Sequence, residues 1–376
     1  MKKLFITMLV GMMALGAMAQ KGIFTVRGNF EGVGDSVFLC IVHAFMSKGL
    51  PVTGQMMEEK FNLDMADEIV IGRWFLGRED DEDGDVKLPA IPGETLVVEK
   101  ISKGKAQFSG SQFYQDYSEA LKSTEKAERA VKRFERKLGL RMMMGASEDE
   151  VKEDLKTTYP ALVQEYVDAV MEYVKAHPDQ DASAALIAKL PEDVDYIEAA
   201  VALLTDRVRN GVAATLYQPN LKLAKDRANE EALRHALEGS TAPDFTLNDI
   251  NGKPLALSSL RGKWVVVDFW GSWCGWCIKG IPQMKEYYAK YGDKLEILGV
   301  DCNDTVEKWK GAVEKHELPW LHVYCDMEDE NSDDPLELYS VRGFPTKVVV
   351  DPEGKVAKIF VGEDPAFYDL LDEVLK

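Results

Sequence analysis

The chain has 376 residues, 46% hydrophobic and 29% charged, with a formal net charge of −19 and five cysteines. A chain this long exceeds one ordinary core, so two or three domains are expected, and its apolar content excludes a wholly disordered protein. A sequence pI of about 4.8 argues against nucleic acid or an anionic membrane as the main partner.

Met1-Lys2-Lys3 is a short basic start, Leu4 to Gly16 is apolar apart from Thr7, and Ala17-Met18-Ala19 has the small-x-small form of a cleavage site. This predicts a signal peptide over 1–19, a mature start near Gln20 and export to an oxidising space, most simply a bacterial periplasm. The first cysteine, Cys40, lies well beyond the cleavage site, which argues against lipid attachment there.

Residues 20–111 read as a β-sandwich-like domain. The β-branched and aromatic runs Ile23 to Val26, Val37 to Val42, Ile69 to Ile71 and Thr95 to Val98 are separated by Gly28, Gly32 to Asp35, Gly72 and Pro92-Gly93. The acidic loop Glu79 to Asp85 has Glu79, Asp81 and Asp83 ahead of Gly84. A calcium register would require an acid where Ala90 stands, so a solvated surface loop is the reading.

Residues 112–238 read as helical. A charged helix is predicted over Tyr114 to Leu138, and Val163, Tyr166, Val167, Val170, Met171 and Val174 line one helix face. Further helices are predicted near Ile197 to Leu204 and Leu221 to Leu237; Arg141 to Met144 is either a sticky loop or ordinary methionine gap filler. No chemistry is legible in this region.

Over 239–376 strands alternate with helices. Strands are predicted at Lys263 to Trp270, Leu295 to Val300, Trp320 to Tyr324, Thr346 to Val350 and Val356 to Val361. Helices are predicted at Lys279 to Tyr291, Thr305 to His316 and Phe367 to Leu375, with a helical turn at Leu336 to Ser340. The alternation implies an α/β unit with a mainly parallel sheet covered on both faces. The fold class is therefore multidomain: all-β, then helical, then α/β.

Cys274-Gly275-Trp276-Cys277 follows the first long strand of this unit and opens its first helix. A thiol at a helix N-terminus meets the positive end of the dipole and unpaired N–H groups, which favour thiolate. Two thiols three apart can close a short disulfide, the first being the more exposed nucleophile and the second placed to resolve a mixed disulfide. A zinc knuckle would need a second ligand pair, but Cys302 and Cys325 are 23 apart with no histidine at ligand spacing. A purely structural disulfide would not need a strand–CxxC–helix setting. Asp268 interrupts the apolar run Val265 to Trp270, so burial should raise its pKa and let it exchange protons near neutrality. The alternative is a carboxylate held by local hydrogen bonds without a role in turnover.

Ala242-Pro243-Asp244-Phe245-Thr246-Leu247, Gly262-Lys263-Trp264 and Val267 to Cys277 together resemble the thioredoxin superfamily, and more narrowly the TlpA/ResA-like periplasmic thiol–disulfide oxidoreductases with their AhpC/TSA-type thioredoxin domain. The resemblance covers about Ser240 to Lys376. More weakly, the strand-rich N-terminal part is similar to a β domain of unknown function often found ahead of such modules. The resemblance implies Cys274 as attacking nucleophile, Cys277 as resolving cysteine, and Asp268 as the group that deprotonates Cys277. Pro282 matches a proline that kinks the active-site helix, and Gly343-Phe344-Pro345-Thr346 matches a cis-proline loop. Such a loop presents backbone groups to a bound chain beside the disulfide. Thioredoxin carries a lysine on the neighbouring strand near this acid, whereas Glu296 to Asp301 has none, so the proton on Asp268 should be held more tightly.

Substrate contact is expected from Trp273, Gly275, Trp276, Phe344 and Pro345, with Trp270 in the core and Trp276 exposed as an apolar docking surface. Cys302 and Cys325 end neighbouring strands and are either bridged or two independent buried thiols; Cys40 reads as a buried strand residue. A thiol peroxidase shares Ala242 to Phe245 but needs a threonine where Gly271 stands. An alternative from another class makes the first two regions a scaffold or partner-binding body with an auxiliary redox module. The expected partners are protein thiols and disulfides and a membrane electron donor, with no nucleic acid and a homodimer through the N-terminal regions; no cofactor or metal is implied.

Overall fold

The computed structural model describes residues 22–30, 33, 35–72, 85–102, 105–145, 148–325 and 334–376. The predicted signal peptide and nearly all of the acidic loop 79–85 lie outside these. The chain divides into two units, Met1–Asp226 and Arg227–Lys376.

In the first unit, strands β1 (Gly22–Gly28), β2 (Ser36–Ile41), β3 (Met46–Pro51), β4 (Met57–Leu63), β5 (Asp67–Gly72), β6 (Val86–Ala90), β7 (Thr95–Ser102) and β8 (Lys105–Gly110) form two four-stranded sheets. Their orders are β4-β1-β7-β8 and β3-β2-β5-β6. Alternate residues face one shared core, with Phe24, Val26, Leu96 and Val98 from one sheet against Leu39, Ile41, Ile69 and Ile71 from the other. The four central strands are those legible as apolar runs, and the other four are all edges.

Helices α1 (Gln112–Met143), α2 (Glu148–Ala176), α3 (Asp181–Ile187), α4 (Val194–Leu203), α5 (Asp206–Arg209) and α6 (Gln218–Leu237) follow. Phe113, Tyr114 and Tyr117 of α1 enter the sandwich core, while Val167, Val170, Val174 and Ile197 build a separate helical core. Arg141 to Met143 form the last turn of α1, and Met142, Met143 and Met144 are exposed, so they neither lie in a loop before the helix end nor fill a gap in the core.

The second unit holds β9 (Thr246–Asp249), β10 (Pro254–Ala256), β11 (Trp264–Trp270), α7 (Gly275–Tyr291), β12 (Leu295–Cys302), α8 (Val306–Lys315), β13 (Leu321–Cys325), α9 (Pro335–Leu338), β14 (Thr346–Val350), β15 (Val356–Val361) and α10 (Pro365–Val374). One seven-stranded sheet runs β10-β9-β13-β12-β11-β14-β15. The expected mainly parallel sheet is corrected to a mixed one: β11–β12 and β12–β13 are parallel, while β11–β14, β14–β15, β9–β13 and β9–β10 are antiparallel. Turns too short for a crossover force two of these antiparallel pairs, β9–β10 and β14–β15.

Period-two alternation splits the sheet into two faces. Val265, Val267, Phe269, Val300, Val348 and Val350 fill one core. Val266, Trp270, Ile297 and Val349 fill the other, together with Cys274, Cys277, Phe367 and Leu371. The redox motif therefore sits over the even-numbered side of β11.

Candidate active site

Cys274 and Cys277 form a disulfide at the start of α7. Cys274 is the N-cap residue, and its Sγ accepts the Cys277 N–H at 3.1 Å. That is an acceptor site for a helix N-terminal donor, where negative charge on sulfur is favoured. The expected difference in exposure does not appear in the disulfide form, since both residues are 6% exposed. Both sulfurs are packed into one apolar cluster, so what distinguishes Cys274 is the N-cap position. Pro282 lies inside α7 as expected.

Three tryptophans surround the motif. Trp270 is in the core, while Trp273 and Trp276 are 51% and 62% exposed. Gly275 is exposed between them. The Lys279 ammonium lies 4.8 Å from the Trp276 ring, and Trp273 meets Phe344 edge-on with ring centroids 5.2 Å apart. Phe344-Pro345 is a cis peptide.

Gly271 allows a close approach. Trp273 Nε1 donates to the Cys302 carbonyl at 3.0 Å, and a Cβ on residue 271 would stand 2.4 Å from that nitrogen and 2.9 Å from that oxygen. A threonine here, as the peroxidase reading requires, would collide with both. Ser272 is tied down as well, its N–H and hydroxyl donating to the two Asp304 carboxylate oxygens at 2.6 and 2.7 Å.

Asp268 lies on β11 between Val266 and Trp270, hence on the face that carries Cys277. The residue keeps partial exposure, but Oδ1 is enclosed without a hydrogen-bond partner among the described residues. Desolvation pushes its pKa up to about 6, against a lowering by Lys347 and with a further raise from Glu363. The expectation that no cation stands near this acid is corrected: Lys347, 2% exposed, is its register partner on β14. β11 has a neighbour on either side, and the lysine comes from the one opposite β12.

Sequence reasoning also passed over Asp301 and His322. Asp301 is fully buried on β12, and burial with the neighbouring Asp304 raises its pKa to about 9, so its carboxyl is protonated at neutral pH. Burial lowers His322 to about 4, leaving a neutral ring beside Trp270. Charged or titratable residues inside apolar strand runs were the available signal, the same one that marked Asp268.

Cys302 and Cys325 are register partners at the ends of β12 and β13, as their placement predicted, and both are free, buried thiols. Contact with Cys325 and burial push the Cys302 thiol up. Cys40 is also free and half-buried on β2.

This arrangement, a disulfide capping a helix beside a cis-proline turn on a mixed sheet, is that of a thioredoxin-like domain. The profile of the AhpC/TSA family matches residues 239–359. Thiol-disulfide oxidoreductase ResA of Bacillus cereus is 35% identical over 126 residues, spanning 33% of this chain and 70% of that protein. ResA of Bacillus subtilis (strain 168) is 35% identical over 126 residues, spanning 33% and 68%. Among solved structures, the thioredoxin domain of a thiol-disulfide oxidoreductase from Bacteroides vulgatus is 34% identical, spans 37% of this chain and 98% of that one, and superposes with a TM-score of 0.34. Through its second unit the chain belongs to the ResA thiol-disulfide oxidoreductases, and it is an enzyme of that class.

Proposed function

We propose that the protein is exported to the periplasm and reduces disulfides in protein substrates through Cys274 and Cys277. The observation that carries this is the Cys274 sulfur, which accepts a helix N-terminal N–H beside two exposed tryptophans and the cis-proline turn. In the reduced enzyme the Cys274 thiolate attacks a substrate disulfide, a mixed disulfide forms, and one substrate sulfur leaves as thiolate. Cys277 gives its proton to the Asp268 carboxylate and attacks the Cys274 sulfur. The Cys274–Cys277 bond forms, the bond to substrate breaks, and two electrons have passed to the substrate. A dithiol donor on the membrane would then restore the reduced pair. Trp273, Gly275, Trp276, Phe344 and Pro345 would contact the substrate chain. No described helix is long and apolar enough to cross a membrane.

The deciding experiment is equilibration of the pair with glutathione, followed by tryptophan fluorescence. A potential near or below about −250 mV supports a reductase, and one near about −150 mV or above makes the protein an oxidant or isomerase. Absence of a two-electron transition removes the reading.

A further inference from the structure

An ion pair with a buried ammonium and a partly exposed carboxylate stands behind Asp268. Lys347 is the charged member of Thr346-Lys347-Val348-Val349-Val350, a strand buried throughout. It alternates with Val348 and so shares the face of Val349 and Cys277. Its ammonium lies 2.7 Å from Glu363 Oε1 and 5.6 Å from the centroid of the Phe367 ring. Glu363, in the turn between β15 and α10, in turn presses its carboxylate against α7. A Cβ at Gly280, three residues after Cys277, would stand 2.6 Å from Glu363 Oε1 and 3.0 Å from Oε2. The pair thus reaches from the register position opposite Asp268 to the helix that carries the resolving sulfur.

Nothing in packing requires charge here. Taking an ammonium out of water is costly, and an apolar side chain would suit a strand in which Lys347 is followed by three valines. The groups that act on Asp268 are Lys347 from β14, Glu363 from the turn and Tyr368 from α10, whose buried hydroxyl has no partner among the described residues; Cys277 from α7 packs on the same sheet face. β12 sets Gly299 opposite Asp268 and so brings no charge at that register; Asp301 lies two residues on, opposite Trp270, and His322 lies one strand further out.

We propose that Lys347 and Glu363 are positioning residues for proton transfer between Cys277 and Asp268. The inference rests on the dithiol-exchange reading above. The ammonium faces Asp268 and favours the carboxylate that accepts the Cys277 proton. Glu363 offsets part of that charge, so that the proton, once taken, is bound firmly enough to be passed on to the departing substrate thiolate or to water. With Lys347 alone Asp268 would be a weak base; with Glu363 alone it would stay protonated.

The test uses the full-length protein with carboxyl-labelled aspartate and reads the Asp268 titration by NMR, alongside the pH profile of mixed-disulfide resolution. Lys347→Met is expected to raise both midpoints by about one pH unit and Glu363→Gln to lower them by a similar amount. The double variant should return close to the parent. Gly280→Ala, which displaces the carboxylate without changing any charge, should move the midpoint in the same direction as Glu363→Gln. Shifts of the same sign in the two single variants, or an unmoved titration, would overturn the inference. If Lys347→Met fails to fold, Glu363→Gln and Gly280→Ala still decide it. The titration needs no substrate, so its failure leaves the exchange reading standing. Unimpaired exchange by a Cys274→Ser variant would remove that reading and leave the titration untouched.

Discussion

Replacing Asp268 by asparagine should make the enzyme both more stable and slower. The carboxyl pKa rises from 3.8 to about 6 on folding, chiefly through desolvation. That is about two pH units at ~1.36 kcal/mol each, or about 3 kcal/mol. The sign follows from proton counting. Between pH 4 and 6 the folded state holds a proton that the unfolded state has released, so stability is fully present below pH 4 and falls as pH rises to 6. Asparagine does not titrate, so the variant escapes this loss. Its gain over the parent should be larger at pH 7.5 than at pH 4.5 by about 2 kcal/mol. Urea unfolding followed by tryptophan fluorescence suits the measurement, because six of the seven tryptophans lie in Arg227–Lys376. Without a base for the Cys277 proton, resolution at pH 7 should slow by about 100-fold. A stability gain equal at both pH values, together with unchanged resolution, would refute the reasoning.

Trp276→Ala should slow exchange with protein disulfides by about 10-fold while leaving reaction with glutathione disulfide unchanged, since the exposed ring offers contact area that a small substrate does not use. Stopped-flow comparison of the two substrates checks this. His322, held neutral down to about pH 4, should show no imidazole titration by NMR between pH 5 and 8. Because its unfolded form takes up a proton near pH 6.5, it should lower stability progressively as pH falls from 6.5 to 4. Cys302 and Cys325 should resist alkylation in the folded protein and label fully in denaturant, as counted by mass spectrometry, and finding them bridged would contradict their free state.

What was legible of the strands in the first sandwich divides along one physical line. In the first unit the strands read correctly, β1, β2, β5 and β7, are the central ones, buried enough to demand apolar and β-branched residues. The missed strands β3, β4, β6 and β8 are the edges. Met-Ser-Lys-Gly-Leu-Pro of β3 takes its extended form from hydrogen bonds to β2 and keeps most side chains in water, so its composition carries little signal. β10, at one edge of the second sheet, was missed likewise, but so was the short interior strand β9, while the other edge, β15, was legible from its apolar residues. The local motif Cys274 to Cys277, the strand before it and the helix it caps were all readable, because each is fixed by residues adjacent in the chain.

The charge environment of Asp268 was not readable, for a reason specific to sheets. A strand position has two lateral neighbours, and which strands supply them depends on the order β12-β11-β14, to which no local pattern refers. Lys347 is 79 positions from Asp268 in sequence yet directly opposite it in register. The run Thr346 to Val350 reads as an ordinary buried strand with one irregular residue. Only when β14 is set antiparallel against β11 does that residue acquire a partner, a common face with Cys277 and a second charge at Glu363. Three charged residues that look anomalous one at a time become one assembly, and the order of the strands makes it so.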